Sequence, residues 1–368
     1  MKEILLLALI SLGWIFNYSH RMAVPALAPL IREDLGIGNA EIGLLMTSLL
    51  LPYALIQVPA GYLGDRFGRK KMVVLSIIGY SLSSALIFVA RDYWELVGIR
   101  ALYGFFAGLY YAPATALISE IFKNRKGSAL GIFMIGPPIG SGITPLIVVP
   151  IALTFSWRTS FLVLSLMSTM VGILLLLTIK EDWKSVGRVS FSIPRGVILL
   201  SIANFLGMSA FFAVLTFLVS FLVDKGMSVE KAGLAFSLLS TFGILGSILG
   251  GFVYDRIGKR SVLLAYLLNS LFTFLILVNQ NILILVLLGL AIYSVGGIVT
   301  AYTAEKSRKD NLGVVMGFVN MMGFFGATVG PYVVGVMIDS LGYSNALLFV
   351  PISYLLAATL IFLDEKLH

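Results

Sequence analysis

Twelve long apolar runs, at 4–30, 41–63, 72–90, 94–121, 128–153, 158–179, 196–222, 231–253, 261–279, 282–304, 312–338 and 344–363, occupy most of the chain. Each can cross about 30 Å of hydrocarbon as a helix. Lipid cannot satisfy a free backbone N–H or C=O, so a spanning segment must pair these groups itself, and a helix does so within one run. Strands of a membrane barrel would be shorter and would alternate apolar with polar residues. A hydrophobic content of 59% with only 12% charge lies far from the composition of a soluble domain. The expected fold class is an all-α membrane protein with 12 transmembrane helices. The first run follows directly on Met1-Lys2-Glu3 and shows no small-residue cleavage site, so it is expected to stay as an anchor.

Basic residues are sorted between alternate loops. Nineteen of the 26 Lys and Arg fall on the same side as the N-terminus, among them Arg66, Arg69, Lys70, Lys71, Arg256, Lys259 and Arg260, and only five fall on the other. Because the basic side is the cytoplasmic one, both termini are expected in the cytoplasm and the protein in the plasma membrane. This sorting accounts for the net charge of +8 without a nucleic-acid partner. The chain has no cysteine, no Gly-x-x-x-x-Gly-Lys-Ser/Thr loop and no room between helices for a nucleotide-binding domain, so neither thiol chemistry nor ATP nor another cofactor is expected.

The chain is also built twice. Gly61-Tyr-Leu-Gly-Asp65-Arg66-Phe-Gly68-Arg69-Lys70 follows the second run, and Gly251-Phe-Val-Tyr-Asp255-Arg256-Ile-Gly258-Lys259-Arg260 follows the eighth, 190 residues later. Both copies lie on the same side, so the repeat is parallel and relates two pseudo-symmetric six-helix bundles by an axis along the membrane normal. The boundaries expected are 1–180 for the first bundle, 181–195 for a polar cytoplasmic linker and 196–368 for the second. On these motifs the chain resembles the major facilitator superfamily over essentially its full length. The resemblance implies a secondary transporter that works by alternating access, as a monomer, with no enzymatic activity.

In the first motif Gly61 is expected to permit close helix packing and Gly68 a tight turn, with Asp65 among Arg66 and Arg69 where an ionic latch can form. Glu120 and Glu305 end the fourth and tenth runs, so each half has a carboxylate for its motif's basic residues, those of the second half following Asp255, Arg256 and Gly258. The resemblance implies that such networks stabilise the outward-open state. Purely topogenic charge is the plainer alternative. Arg100, about two turns into the fourth run, is costly in a membrane unless paired or hydrated, and can be structural or functional. The fifth run, with Gly136-Pro137-Pro138, Gly140, Gly142 and Pro145, must kink or pack closely.

The sharpest functional signal is in the first helix, Trp14-Ile-Phe-Asn17-Tyr18-Ser-His20-Arg21-Met-Ala-Val-Pro25. At 100° per residue Trp14, Asn17, Tyr18 and Arg21 share one stripe, with His20 beyond its edge. If the helix runs from 4 to 30, Arg21 lies about 6 Å from the midplane. None of the eighteen acidic residues falls near a helix centre, so the cavity has a cation without a counter-ion. A carboxylate or phosphate ester on the substrate would supply one through the bidentate pairing that guanidinium favours; waters, carbonyls and Tyr hydroxyls are the alternative. Asn17-Tyr18-x-x-Arg21 with Pro25 also resembles the first helix of organic-anion and organophosphate members of the superfamily, where Tyr and Arg contact the anion.

Further candidates for substrate contact are Gln57 and Tyr111, with Tyr103, Tyr110 and Thr115 near them, and Asn204, Tyr293 and Asn320 in the second half. His20 can titrate near neutral pH and is the candidate for proton coupling; packing through hydrogen bonds is its other reading. The expected partners are thus a small anionic substrate, protons or a counter-transported anion, and the lipid bilayer. A proton-linked multidrug exporter is the alternative within transport, and a non-transporting receptor or scaffold of the same fold the alternative outside it. A membrane enzyme would need clustered His, Asp or Glu, which the acidic inventory denies.

Overall fold

The computed structural model describes residues 2–122, 125–178, 195–307 and 312–367; most of the linker at 181–195 lies outside them. The helices are α1 Lys2–Leu35, α2 Asn39–Phe67, α3 Arg69–Ala85, α4 Tyr93–Gly108, α5 Tyr111–Ile121, α6 Lys126–Met134, α7 Gly136–Thr154, α8 Trp157–Thr178, α9 Ile198–Asp224, α10 Val229–Ile257, α11 Arg260–Val278, α12 Ile282–Glu305, α13 Leu312–Leu341, α14 Tyr343–Ala346 and α15 Phe349–Leu367. No strand occurs among the described residues. By length and composition these helices make 12 spans, α4 continuing into α5 across Leu109-Tyr110 and α14 into α15. The fifth span breaks at Ile135, between α6 and α7, where the Gly-Pro-Pro sequence interrupts the helical ladder.

Two compact units form. The first holds α1, α2 from Ser48 onward, and α3 to α8; the second holds α9 to α15 together with Gly36–Thr47. The sequence division at 1–180 assigns residues 36–47 to the first half, whereas here they join the second. The cause is local. Asp339 on α13 accepts from the backbone N–H of Asn39 at 2.9 Å and of Ala40 at 2.7 Å, filling orphan donors at the start of α2. A Cβ on Gly43 would stand 2.3 Å from the Pro331 carbonyl, so backbone lies directly on backbone there.

In the first unit α1 is the central element. Its buried face carries Trp14, Asn17, His20 and Arg21, all at most 3% exposed. Tyr110 donates to the Ile10 carbonyl, Tyr80 to Gly13 at 2.9 Å and Tyr103 to Asn17 at 2.6 Å, so three hydroxyls run along one face of the helix. Arg100 continues the row, with Nη1 donating to the His20 carbonyl at 3.1 Å and Nη2 to Arg21 at 3.5 Å. Pro25 has no N–H for the Arg21 carbonyl four residues back, and its ring disturbs the turn beside it. Arg100 therefore supplies what the proline removes. On the opposite side α7 comes close through Gly140, where a Cβ would stand 2.4 Å from the Ile15 carbonyl.

His20 lies on the seam toward α3 and α8. Its Nδ1 is 2.8 Å from Ser84 Oγ and its Nε2 3.0 Å from Ser168 Oγ, which in turn is 2.6 Å from Ser81 Oγ. At the end of α1, Asp34 accepts from Trp157 Nε1 at 3.1 Å and pairs with Arg158 at 2.6 Å, tying α1 to α8.

Replacing Arg100 by Leu should leave the Pro25 turn with uncapped carbonyls in hydrocarbon and destabilise the fold by about 2 kcal/mol or more. Thermal unfolding of the detergent-solubilised protein should show a lower midpoint, with R100K intermediate; an unchanged midpoint for R100L would remove Arg100 from this role.

Candidate functional site

α1 extends beyond the sequence-based span, from Lys2 to Leu35. Arg21 consequently sits two or three residues from its middle, about 3–4 Å by helical rise, deeper than the sequence boundaries placed it. The side chain is wholly buried. Its guanidinium lies over two aromatic rings, 4.4 Å from the centroid of Tyr18 and 4.3 Å from that of Tyr53 on α2. Nη2 donates to Asn17 Oδ1 at 3.0 Å, one helical turn back. Asn17 is itself pinned, with Nδ2 donating to the Ala107 carbonyl on α4 at 3.2 Å. Asn17 thus positions the cation.

What the guanidinium lacks is an anion. Among the described residues no carboxylate pairs with Arg21, and its Nε and Nη1 have no hydrogen-bond acceptor. Two tyrosine faces attract a cation but cannot accept its in-plane N–H bonds. An oxyanion entering in the guanidinium plane would satisfy donors that the protein leaves open.

Arg21, Tyr18 and Asn17 come together as their stripe requires. Gln57 lies one turn beyond Tyr53 on α2. Tyr111 belongs to an aromatic cluster that extends to Tyr18: its ring is 5.5 Å from that of Trp14, which stacks on Tyr110 at 5.6 Å and Phe133 at 5.5 Å and meets Tyr18 edge-on at 5.1 Å. Tyr103 and Tyr110 spend their hydroxyls on α1 carbonyls, and Thr115 bonds back to Tyr111 on its own helix. Tyr53 is the residue that sequence reasoning missed. Its only signal was position, four residues before Gln57 on the same helix face.

In the second unit Asn204 donates to the Val319 carbonyl at 2.9 Å, joining α9 to α13 beside Asn320, which is exposed. Tyr293 reaches Ser240 at 3.5 Å and packs edge-on against Phe211 at 5.5 Å. Asn204 and Tyr293 thus each make contacts between helices of that unit.

The repeated motif shows its geometry most clearly in the first copy. Arg69 pairs with Glu120 at 3.1 Å, Lys70 donates to the Leu176 carbonyl at 3.0 Å, and Arg66 donates to the Tyr62 hydroxyl at 3.3 Å. Gly68 and Gly258 adopt φ values of 103° and 57°, the left-handed region that glycine enters at little cost. The side chain of Asp65 lies outside the described residues. The second copy is wired differently. Glu305 accepts from Tyr254, while Asp255 and Arg256 form no ion pair among the described residues, and Lys306 pairs at 2.6 Å with the buried Asp364, which also accepts from Tyr302 at 2.7 Å.

One expectation is corrected here. A Cβ on Gly61 would meet only Ala112 at 3.8 Å and one on Gly251 nothing, so neither is required for packing. The close approaches fall on Gly64, against Pro113, and on Gly250, whose Cβ would stand 2.5 Å from the Ser294 carbonyl. Helix rotation, which the motif alone does not reveal, decides which glycine faces the neighbour.

The sequence profile of the Major Facilitator Superfamily matches residues 9–296 and 197–367. The chain belongs to that superfamily. It is similar to the hexuronate transporter of Bacillus subtilis, 26% identical over 377 residues that cover 92% of this chain and 88% of that one. It is also similar to a multi-drug resistance efflux pump of Streptococcus pneumoniae, 27% identical over 366 residues and 90% of each chain. The fold matches that of a bacterial homolog of the human lysosomal transporter Spinster, in an inward-facing and occupied conformation, with a TM-score of 0.86, 16% identity, and coverage of 98% of this chain and 96% of that one. The protein is a multi-pass membrane transporter of this superfamily and not an enzyme.

Two adjacent glycines give a sharp test of the packing. Gly250→Ala should destabilise by about 1–3 kcal/mol through overpacking against backbone, while Gly251→Ala should be neutral or slightly stabilising. Melting midpoints of the two variants that coincide would show that the α10–α12 contact is looser than described.

Proposed function

We propose that the protein moves a small organic anion, a carboxylate or phosphate ester, across the plasma membrane by alternating access, and that Arg21 holds the anionic group. The observation that carries this reading is a fully buried guanidinium with two donors lacking acceptors and no carboxylate partner among the described residues. A buried cation without a counter-charge is costly, and a bound anion removes that cost each cycle. Tyr18 and Tyr53 wall the group, Asn17 orients it, and Gln57 stands one turn further along α2. Similarity to a hexuronate transporter supports the choice of substrate class. We assign the basic, motif-bearing side to the cytoplasm, with both termini there, from the loop charges.

A second reading, drug export, is favoured by the 27% identity to an efflux pump and by the aromatic cluster around Trp14. Purified protein in liposomes separates the two. Uptake of a panel of carboxylates and phosphate esters should fall at least about 30-fold in R21Q, the loss expected when one member of a buried charged pair is removed; R21K should retain part of it. Anion uptake undiminished in R21Q would sink the assignment, and transport of neutral or cationic aromatic compounds independent of Arg21 would favour export.

His20 supports packing better than coupling, since both ring nitrogens are held by serine hydroxyls in a sealed seam. His20→Gln should lower thermal stability yet leave the response of uptake to an imposed pH gradient intact. Loss of that response with stability preserved would make His20 the coupling group.

A further inference from the structure

α10 and α12 touch backbone to backbone: a Cβ on Gly246 would stand 2.3 Å from the Leu290 carbonyl, and one on Gly250 2.5 Å from Ser294. Helices brought this close leave a third helix standing off from both. A groove of about 290 Å³ remains between α10, α11 and α12, with the small residues Gly250, Ser261, Ala265 and Ala291 in its lining.

The lining is hydrocarbon. The only side-chain hydroxyls on it are those of Ser261, which donates to the Gly258 carbonyl at 2.7 Å, and Ser294, which donates to Ala291 at 2.8 Å, so both are already satisfied. A polar solute would find nothing to pair with and would lose its hydration. The groove's rims, Leu249 and Leu264, are 49% and 42% exposed on helices that span the membrane, so it opens to the bilayer. On α11 it runs from Ser261 to Phe272, about 16 Å by helical rise.

One end is strongly basic. Arg256 lies three residues past the lining residue Val253 on α10, and on α11 Arg260 immediately precedes the lining residue Ser261 and lies four before Leu264, so both stand at the end of the groove. Both are exposed, and with Lys259 between them none forms an ion pair among the described residues. Among the described residues three carboxylates share this end: Glu305 accepts from Tyr254, the buried Asp364 is paired with Lys306, and the exposed Asp255 points a different way from Arg256 by about 100° of helix rotation. These arginines close the spans Val229–Ile257 and Arg260–Val278, the depth at which lipid headgroups lie.

We propose that the groove between α10, α11 and α12 is a binding site for an anionic phospholipid, one acyl chain lying along Ala265 and Ala291 and the phosphate and headgroup charge meeting Arg256 and Arg260. The site is separate from Arg21 and does not depend on the transported substrate.

Native mass spectrometry of the delipidated full-length protein tests it, with phosphatidylglycerol and phosphatidylcholine of identical acyl chains as probes. Phosphatidylglycerol should bind about 30-fold more tightly, the preference that two basic contacts provide. The double variant R256Q/R260Q should bring the two lipids within about twofold of each other. Ala265→Phe, which fills the groove, should weaken both lipids about tenfold; if that variant does not fold, Leu264→Gln at the exposed rim carries the same test. Equal binding of the two lipids by the unaltered protein overturns the proposal, as does full binding by the groove variants. Displacement of phosphatidylglycerol by glycerol phosphate at equal concentration would also overturn it, because the acyl chain would then contribute nothing.

Discussion

Backbone groups inside hydrocarbon must find partners within the protein, and in the first unit that demand converges on α1. Pro25 breaks the ladder of this helix one turn beyond the residue with most chemical potential, and the carbonyls it disturbs are taken up by Arg100. Tyr110, Tyr80 and Tyr103 extend the same row of donors back along α1. A helix grasped at each turn cannot rotate, and its rotation sets where Arg21 points. Arg100 and Arg21 are therefore two buried cations with different fates: one is consumed by backbone carbonyls, the other is presented between tyrosine rings with donors to spare.

The two halves share a motif but not its wiring. In the first, Arg69 meets Glu120 directly. In the second, Glu305 turns to Tyr254 and the nearby ion pair is Lys306 with the buried Asp364. Partly exposed pairs such as Arg69–Glu120 contribute little static stability, generally below about 1 kcal/mol. Lys306–Asp364, with one partner fully buried, is costlier to break.

Much of this was legible beforehand because the bilayer restricts what a chain can do. Runs such as 94–121 and 231–253 could only be helices, and their ends fall within a few residues of the described spans Tyr93–Ile121 and Val229–Ile257. The stripe of Asn17, Tyr18 and Arg21 was readable because helical periodicity puts these residues on one side whatever surrounds them. Tyr53 was not readable. Nothing in α2 announces which of its faces meets α1, and the same uncertainty hid the difference between Gly61 and Gly64. Similarly, Tyr103 and Tyr110 carry the residue type of a cavity lining, and only their hydrogen bonds to the Asn17 and Ile10 carbonyls of α1 show that the hydroxyls are already engaged.

The sequence alone determined the helical membrane fold, the internal duplication and the presence of a deep cation with no acidic residue at its depth, since each follows from composition and spacing in a medium that cannot solvate polar groups. Tertiary structure decided which polar groups are spent and which remain available. That distinction depends on helix rotation and contact at the scale of single ångströms, on the neighbour that happens to face Arg100, His20 or Arg21, and no periodicity within one helix encodes it.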